Sequence, residues 1–286
     1  MGAITGQGQS FNLPNYVGEL FNVSPTDTPL LSAIGGMTGG ISVSSKQFTW
    51  QTTDLAGATQ TAVVEGADPT MKGRTRSEVS NVTQIMQYGV EVSYTKQAAV
   101  GNIAGESIIG NQPVQDELAF QLDMAMKTAA RDIEHSFIQG AYNAGANITT
   151  PRKTRGMLAA VTTNEVAGGA AALTQAKVES ALKKMADSGA PFEMPVIFAN
   201  AFQKQKLSSI YSSALALAPR DRNIGGVNIT TIETDFGQVG IVFERHIPAD
   251  DVLIADLAFM KPVFLDIPGK GHFFVEPLAQ TGAAYK

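Results

Sequence analysis

The side chains that could move protons, bind metals or attack a substrate are few and scattered. The three histidines, His135, His246 and His272, lie far apart in sequence, and none has a partner at the i+4 spacing of a helical metal site. Cysteine is absent, which removes disulfides, thiolate ligands and cysteine nucleophiles together. The glycine runs Gly35-Gly36-Met37-Thr38-Gly39-Gly40 and Gly269-Lys270-Gly271 lack the spacing that wraps backbone amides around a phosphate ahead of a helix, so they read as turns. No Gly-x-Ser-x-Gly elbow occurs, and Asp250-Asp251 lacks the alternating oxygen ligands of a calcium loop. Asp116 and Glu117 sit where acids favour the positive end of a helix, and Asp123 stands four residues before Lys127 as a surface pair. The one basic cluster, Arg152, Lys153 and Arg155, either faces nucleic acid or neutralises the negative end of a preceding helix. No catalytic, cofactor-binding or metal residue is assigned, and the expectation is a protein that is not an enzyme.

Two elements in the middle of the chain carry more information than any of these. Across Ser77 to Thr95 the positions Val82, Met86, Tyr88, Val90, Val92 and Tyr94 alternate with polar residues, which predicts one half-buried strand of ~60 Å. From Pro113 to Gln139 Val114, Leu118, Leu122, Ala125, Ala129, Ile133 and Phe137 recur at three-to-four spacing without an intervening glycine or proline, predicting one helix of ~40 Å. Elements of that reach overrun a single core, and their excess is expected to be buried against neighbouring subunits.

Composition points the same way. With 286 residues the chain can bury a large core, yet only 16% of it is charged against 44% hydrophobic, a low charge density for a free monomer. A net charge of −5 argues against a protein whose main task is to neutralise phosphates. Met1 to Gln9 has neither the basic start nor the apolar stretch of a signal peptide, and no apolar run approaches bilayer length, so residence in a cytoplasm and no membrane partner are expected.

Residues 1–40 read as an arm, with Phe11, Leu13 and Tyr16 spaced among prolines and glycines and suited to lie on a neighbouring copy. Residues 41–53 read as a strand with Phe48, Trp50 and Thr52 on one face, pairing with the 77–95 strand into a long hairpin. Its tip, 54–76, is read as polar and carries Glu65, Asp68, Lys72, Arg74 and Arg76, a mixed-charge pad that would dock on another copy. Further on, Val178, Ala181, Leu182 and Met185 ahead of Gly189 predict a short helix, Pro195 to Phe198 a buried strand, and Asn200 a helix cap. Strands are predicted at Val227 to Thr231, Val239 to Phe243, Val252 to Ala255 and Phe259 to Leu265, with a last one, Phe273 to Val275, returning to the first subdomain.

This order of parts resembles the major capsid (major head) proteins of tailed bacteriophages, whose shell fold is shared with encapsulins. Local matches are Thr28-Pro29-Leu30-Leu31-Ser32-Ala33-Ile34-Gly35, Asp132-Ile133-Glu134, Arg155-Gly156-Met157-Leu158, Ile254-Ala255-Asp256-Leu257 and Phe264-Leu265-Asp266. The resemblance implies an α+β fold: an N-terminal arm (1–43), an E-loop hairpin (44–95), a peripheral P domain (96–172) with spine helix 113–139, a mixed α/β axial A domain (173–250), and strands 251–286 completing both domains. It also implies a mechanical function, with copies forming the pentamers and hexamers of an icosahedral shell around double-stranded DNA. Scaffolding, portal and decoration proteins would be possible partners, the virion the destination and the bacterial host cytoplasm the place of assembly. An encapsulin-type compartment, another virion structural protein and an α+β enzyme are the alternatives.

Overall fold

The computed structural model describes residues 24–55, 57–98, 102–103, 106–107, 116–214, 223–224, 227–228, 230–279 and 282–285. In chain order the elements are helix α1 (Pro29–Ala33), strands β1 (Ile41–Val43), β2 (Gln47–Thr53), β3 (Arg76–Val82) and β4 (Val92–Ser93), helix α2 (Tyr94–Ala98), and strands β5 (Asn102–Ile103) and β6 (Glu106–Ser107). The long helix α3 (Glu117–Gln139), α4 (Met157–Ala160) and α5 (Gln175–Asp187) follow, then β7 (Pro195–Ala199) and α6 (Ala201–Ala214). Strands β8 (Asn223–Ile224), β9 (Val227–Asn228), β10 (Thr230–Thr234), β11 (Gly237–Phe243), β12 (Val252–Asp256), β13 (Val263–Leu265) and β14 (Ala284–Tyr285) complete the chain. They divide into two compact units, one holding 87–129 and 275–286, the other 28–86 and 130–274.

The larger unit is organised by β7, whose five residues Pro-Val-Ile-Phe-Ala are all buried. A strand with no polar position must be covered on both faces, and it sits inside a mixed four-stranded sheet of order β10-β11-β7-β12. Ile197 and Ala199 face one cluster with Val178 and Leu182 of α5 and Leu207 of α6. Val196 and Phe198 point the other way, into a second cluster with Leu30 of α1 and Ile138 of α3. The predicted caps and stops around this sheet are present: Asn200 Oδ1 accepts from Gln203 N at 2.9 Å, and Gly189 beyond α5 takes φ +81°.

The predicted 77–95 strand is shorter than its pattern. β3 pairs with β2 only from Arg76 to Val82, and residues 83–91 leave the ladder before β4 and α2 begin. The partner strand ends first: the chain breaks between β1 and β2 at 44–46, so beyond Thr83 N, bonded to Lys46 O, there is no ladder to extend. The 41–53 strand is likewise two strands, and β1 instead runs parallel to β13. Of the 259–265 strand only β13 forms, because Asp256 accepts from Ala258 N and starts a 3-10 turn at Leu257–Phe259, and Pro262 follows. Residues 273–275 are not a strand; the late strand that pairs with β4 is β14.

In the smaller unit the first part of α3 is capped as its acids predict. Asp116 Oδ1 accepts from Ala119 N at 3.1 Å and from Gln97 Nε2 at 2.9 Å, and these bonds lower its pKa. Lys127 Nζ lies 2.6 Å from Asp123, the expected i,i+4 pair. α3 is observed from Glu117; its predicted first residues, 113–115, lie outside the described residues, and it ends at Gln139 as predicted.

Candidate assembly surface

The β2–β3 ribbon and its tip are almost wholly exposed. Six of the seven residues of β2 are exposed, and Val82 at the base of β3 is the ribbon's one buried residue. Between the strands, the described residues 54–55 and 57–75 form neither helix nor strand apart from a turn at Glu65-Gly66, where Gly66 takes φ +84°. All five charged candidates, Glu65, Asp68, Lys72, Arg74 and Arg76, are exposed there, and Arg76 Nη1 donates to Gln51 Oε1 at 3.2 Å. The tip is not simply polar: Leu55, Val63, Val64 and Met71 are exposed by 69%, 76%, 81% and 88%. The polar reading missed them because they are spread among threonines and alanines without a period. Phe11, Leu13 and Tyr16 lie outside the described residues.

The base of the ribbon is anchored through Asn81. Its Oδ1 accepts from Arg155 N at 2.8 Å and Val82 N at 2.9 Å, and its Nδ2 donates to Arg155 O at 3.2 Å. The basic connector is committed to the same joint. Arg152 Nε donates to Thr83 O at 3.2 Å, the Arg155 guanidinium lies 4.6 Å over the Tyr142 ring, and Lys153 bridges to Asn143 through its backbone. At least Arg152 and Arg155 therefore tie the ribbon to the segment after α3.

The histidines are less isolated in space than in sequence. The His135 and His246 rings meet edge-on at 5.7 Å. His272 stacks on Phe264 at 4.3 Å, with Nδ1 2.9 Å from Asp266 and Nε2 2.9 Å from Met37 O. Ser42 Oγ also donates to Asp266, and these bonds hold its carboxyl below the usual range. Serine and histidine both bond the aspartate rather than each other, so nothing here activates the hydroxyl. The group instead pins β1 to the turn at 267–271. No group of three or more His, Asp or Glu side chains among the described residues is placed to hold a metal ion.

A buried acid pair is the feature that sequence reasoning did not single out. Glu134 and Glu244 are both 0% exposed. Glu134 Oε1 accepts from Leu30 N at 2.7 Å and Oε2 from Leu31 N at 2.6 Å, so the side chain of α3 caps α1. Glu244 accepts from His246 N at 3.0 Å, and burial, with Glu134 beside it, pushes its pKa up to about 8.

This architecture is the phage shell fold. It matches a chain of the cyanophage A-1(L) capsid asymmetric unit at TM-score 0.59 and 15% identity, over 89% of this chain and 77% of that one. It also matches the capsid of a native GTA particle at TM-score 0.53 and 13% identity, over 90% and 82%. No curated protein matches the chain. The profile of the SU10 major capsid protein family matches residues 3–286, and the chain belongs to that family. It is a structural subunit of a capsid shell.

Proposed function

We propose that copies of this chain associate as pentamers and hexamers and tile an icosahedral shell that encloses phage double-stranded DNA. The observation that carries this reading is the tip of the β2–β3 ribbon, where four large apolar side chains lie open to water beside the five charged candidates in the single subunit. Such a surface favours a partner, and in a closed shell of identical copies the partner is another subunit. The role is mechanical and not enzymatic. Residues 1–43 act as the arm, 44–95 as the E-loop, 96–172 as the P domain with spine helix 113–139, 173–250 as the A domain, and 251–286 complete both. The sheet β10-β11-β7-β12, flanked by α5 and α6, supports the A-domain assignment. The ribbon supports the E-loop.

DNA in this reading lies nearby without sequence-specific contacts, in keeping with the net charge of −5. Scaffolding, portal and decoration proteins are the further partners, and assembly takes place in the bacterial host cytoplasm. No described helix is long and apolar enough to cross a membrane. Two variants test the contact residues. Reversing Arg74 and Arg76 together to Glu should abolish particles seen by electron microscopy, and deleting residues 1–20, with Phe11, Leu13 and Tyr16, should give a folded subunit that assembles poorly. Wild-type particle yields from both would overturn the assignment.

A further inference from the structure

Three elements converge on the acid pair. Helix α3 contributes Glu134, the end of β11 contributes Glu244, whose backbone N donates to Ala199 O at 2.9 Å, and α1 contributes the amides of Leu30 and Leu31. Both oxygens of Glu134 are taken by amide donors, so this carboxyl acts as an acceptor. Glu244 spends Oε1 on the His246 amide, while Oε2 is buried with no donor facing it. A buried oxygen without a donor is costly, but a proton on it can be given to Glu134, and the two carboxyls are then joined instead of repelling.

His246 also faces Glu244, from the turn after β11, and His135 is edge-on to His246. Arg245 lies over the Phe243 ring, 4.8 Å from its centroid. Gln139 Nε2 donates to His246 O and holds that turn on α3.

We propose that one proton held between Glu134 and Glu244 latches α1 onto α3, and that losing it as the pH rises frees the segment 28–34. α1 is the part that yields, because it has five residues, no side-chain cap of its own and only Glu134 to satisfy its leading amides, whereas Glu134 and Glu244 stand on a long helix and a central strand. Leu30, 0% exposed in the core beside Ile138 and Phe198, is withdrawn when the latch opens.

The sign follows from linkage. The closed latch holds its proton up to about pH 8, while an opened, hydrated Glu244 releases it near the ordinary 4.5. Between those values closing takes up a proton, so the closed state weakens by up to tenfold per pH unit and levels off above about 8. The device belongs to the subunit alone and stands whether or not copies tile a shell.

The test is hydrogen–deuterium exchange of the intact chain from pH 5 to 9.5, with rates corrected for the intrinsic effect of pH. Protection of the Leu30 and Leu31 amides should fall steadily to about pH 8 and then hold, while the amides of β7 show no such slope. In Glu244→Gln, whose amide donates to Glu134 without titrating, protection should be level throughout. A level wild-type profile overturns the latch even if the variant fails to fold. So does a slope shared by the β7 amides, a slope that persists in the variant, or absence of protection at every pH.

Discussion

Single side chains hold the joints of this subunit, and most of them are acids or amides bonded to backbone. Asp256 accepts from Glu193 N, Met194 N and Ala258 N at 2.8, 2.9 and 3.0 Å, fixing the loop before β7 and the turn after β12 at once. Asp256→Ala leaves those donors without their acceptor and should cost about 2–3 kcal/mol in chemical denaturation. A loss within about 0.5 kcal/mol would mean that water replaces the carboxylate. Asn81→Ala should likewise cost about 2 kcal/mol, with amide exchange rising first at the base of β3. The segments that carried the resemblance in sequence, with Leu30, Glu134, Gly156, Asp256 and Asp266, are the ones that make these joints. Their individual roles were not legible. Glu134 falls outside the apolar stripe of α3, because a charged residue is assigned to water until a backbone donor is known to meet it. The buried positions near the end of the helix are Glu134 and Ile138, one residue on from the predicted Ile133 and Phe137, which are only half buried.

At the scale of elements, helices and covered strands were legible because their signal is internal to the segment. α5, β7 and the end of α3 follow from apolar spacing and stops alone. The 77–95 strand failed because alternation records two faces and says nothing of a partner; the ladder ends where the opposing chain breaks. The return from α3 depends on a close approach of two glycines. Gly156 N donates to Gly140 O at 2.8 Å, and a Cβ on Gly156 would sit 2.4 Å from Gly140 N and 2.7 Å from Ile138 O. Gly156→Ala should therefore cost about 2 kcal/mol or more and shift the melting temperature down, whereas alanine at Gly168, with nothing within 4 Å, should leave it nearly unchanged.

For the whole molecule, the order of ribbon, long helix and mixed sheet was the legible quantity. The stickiness of the ribbon tip was not, since Leu55, Val63, Val64 and Met71 follow no period and become conspicuous only once no part of the larger unit covers them. Val63→Asp with Val64→Asp should leave the melting temperature of the subunit within a degree or two, because both side chains are already in water, and yet suppress particles. A matching loss of subunit stability would instead place the tip inside the fold. Whether copies of the chain build a shell is decided by electron microscopy of the purified chain after size-exclusion chromatography. Closed shells or rings of five and six copies are expected; a monomer of 30.2 kDa under every salt condition, with purified scaffolding protein supplied, would mean that the chain does not build a shell.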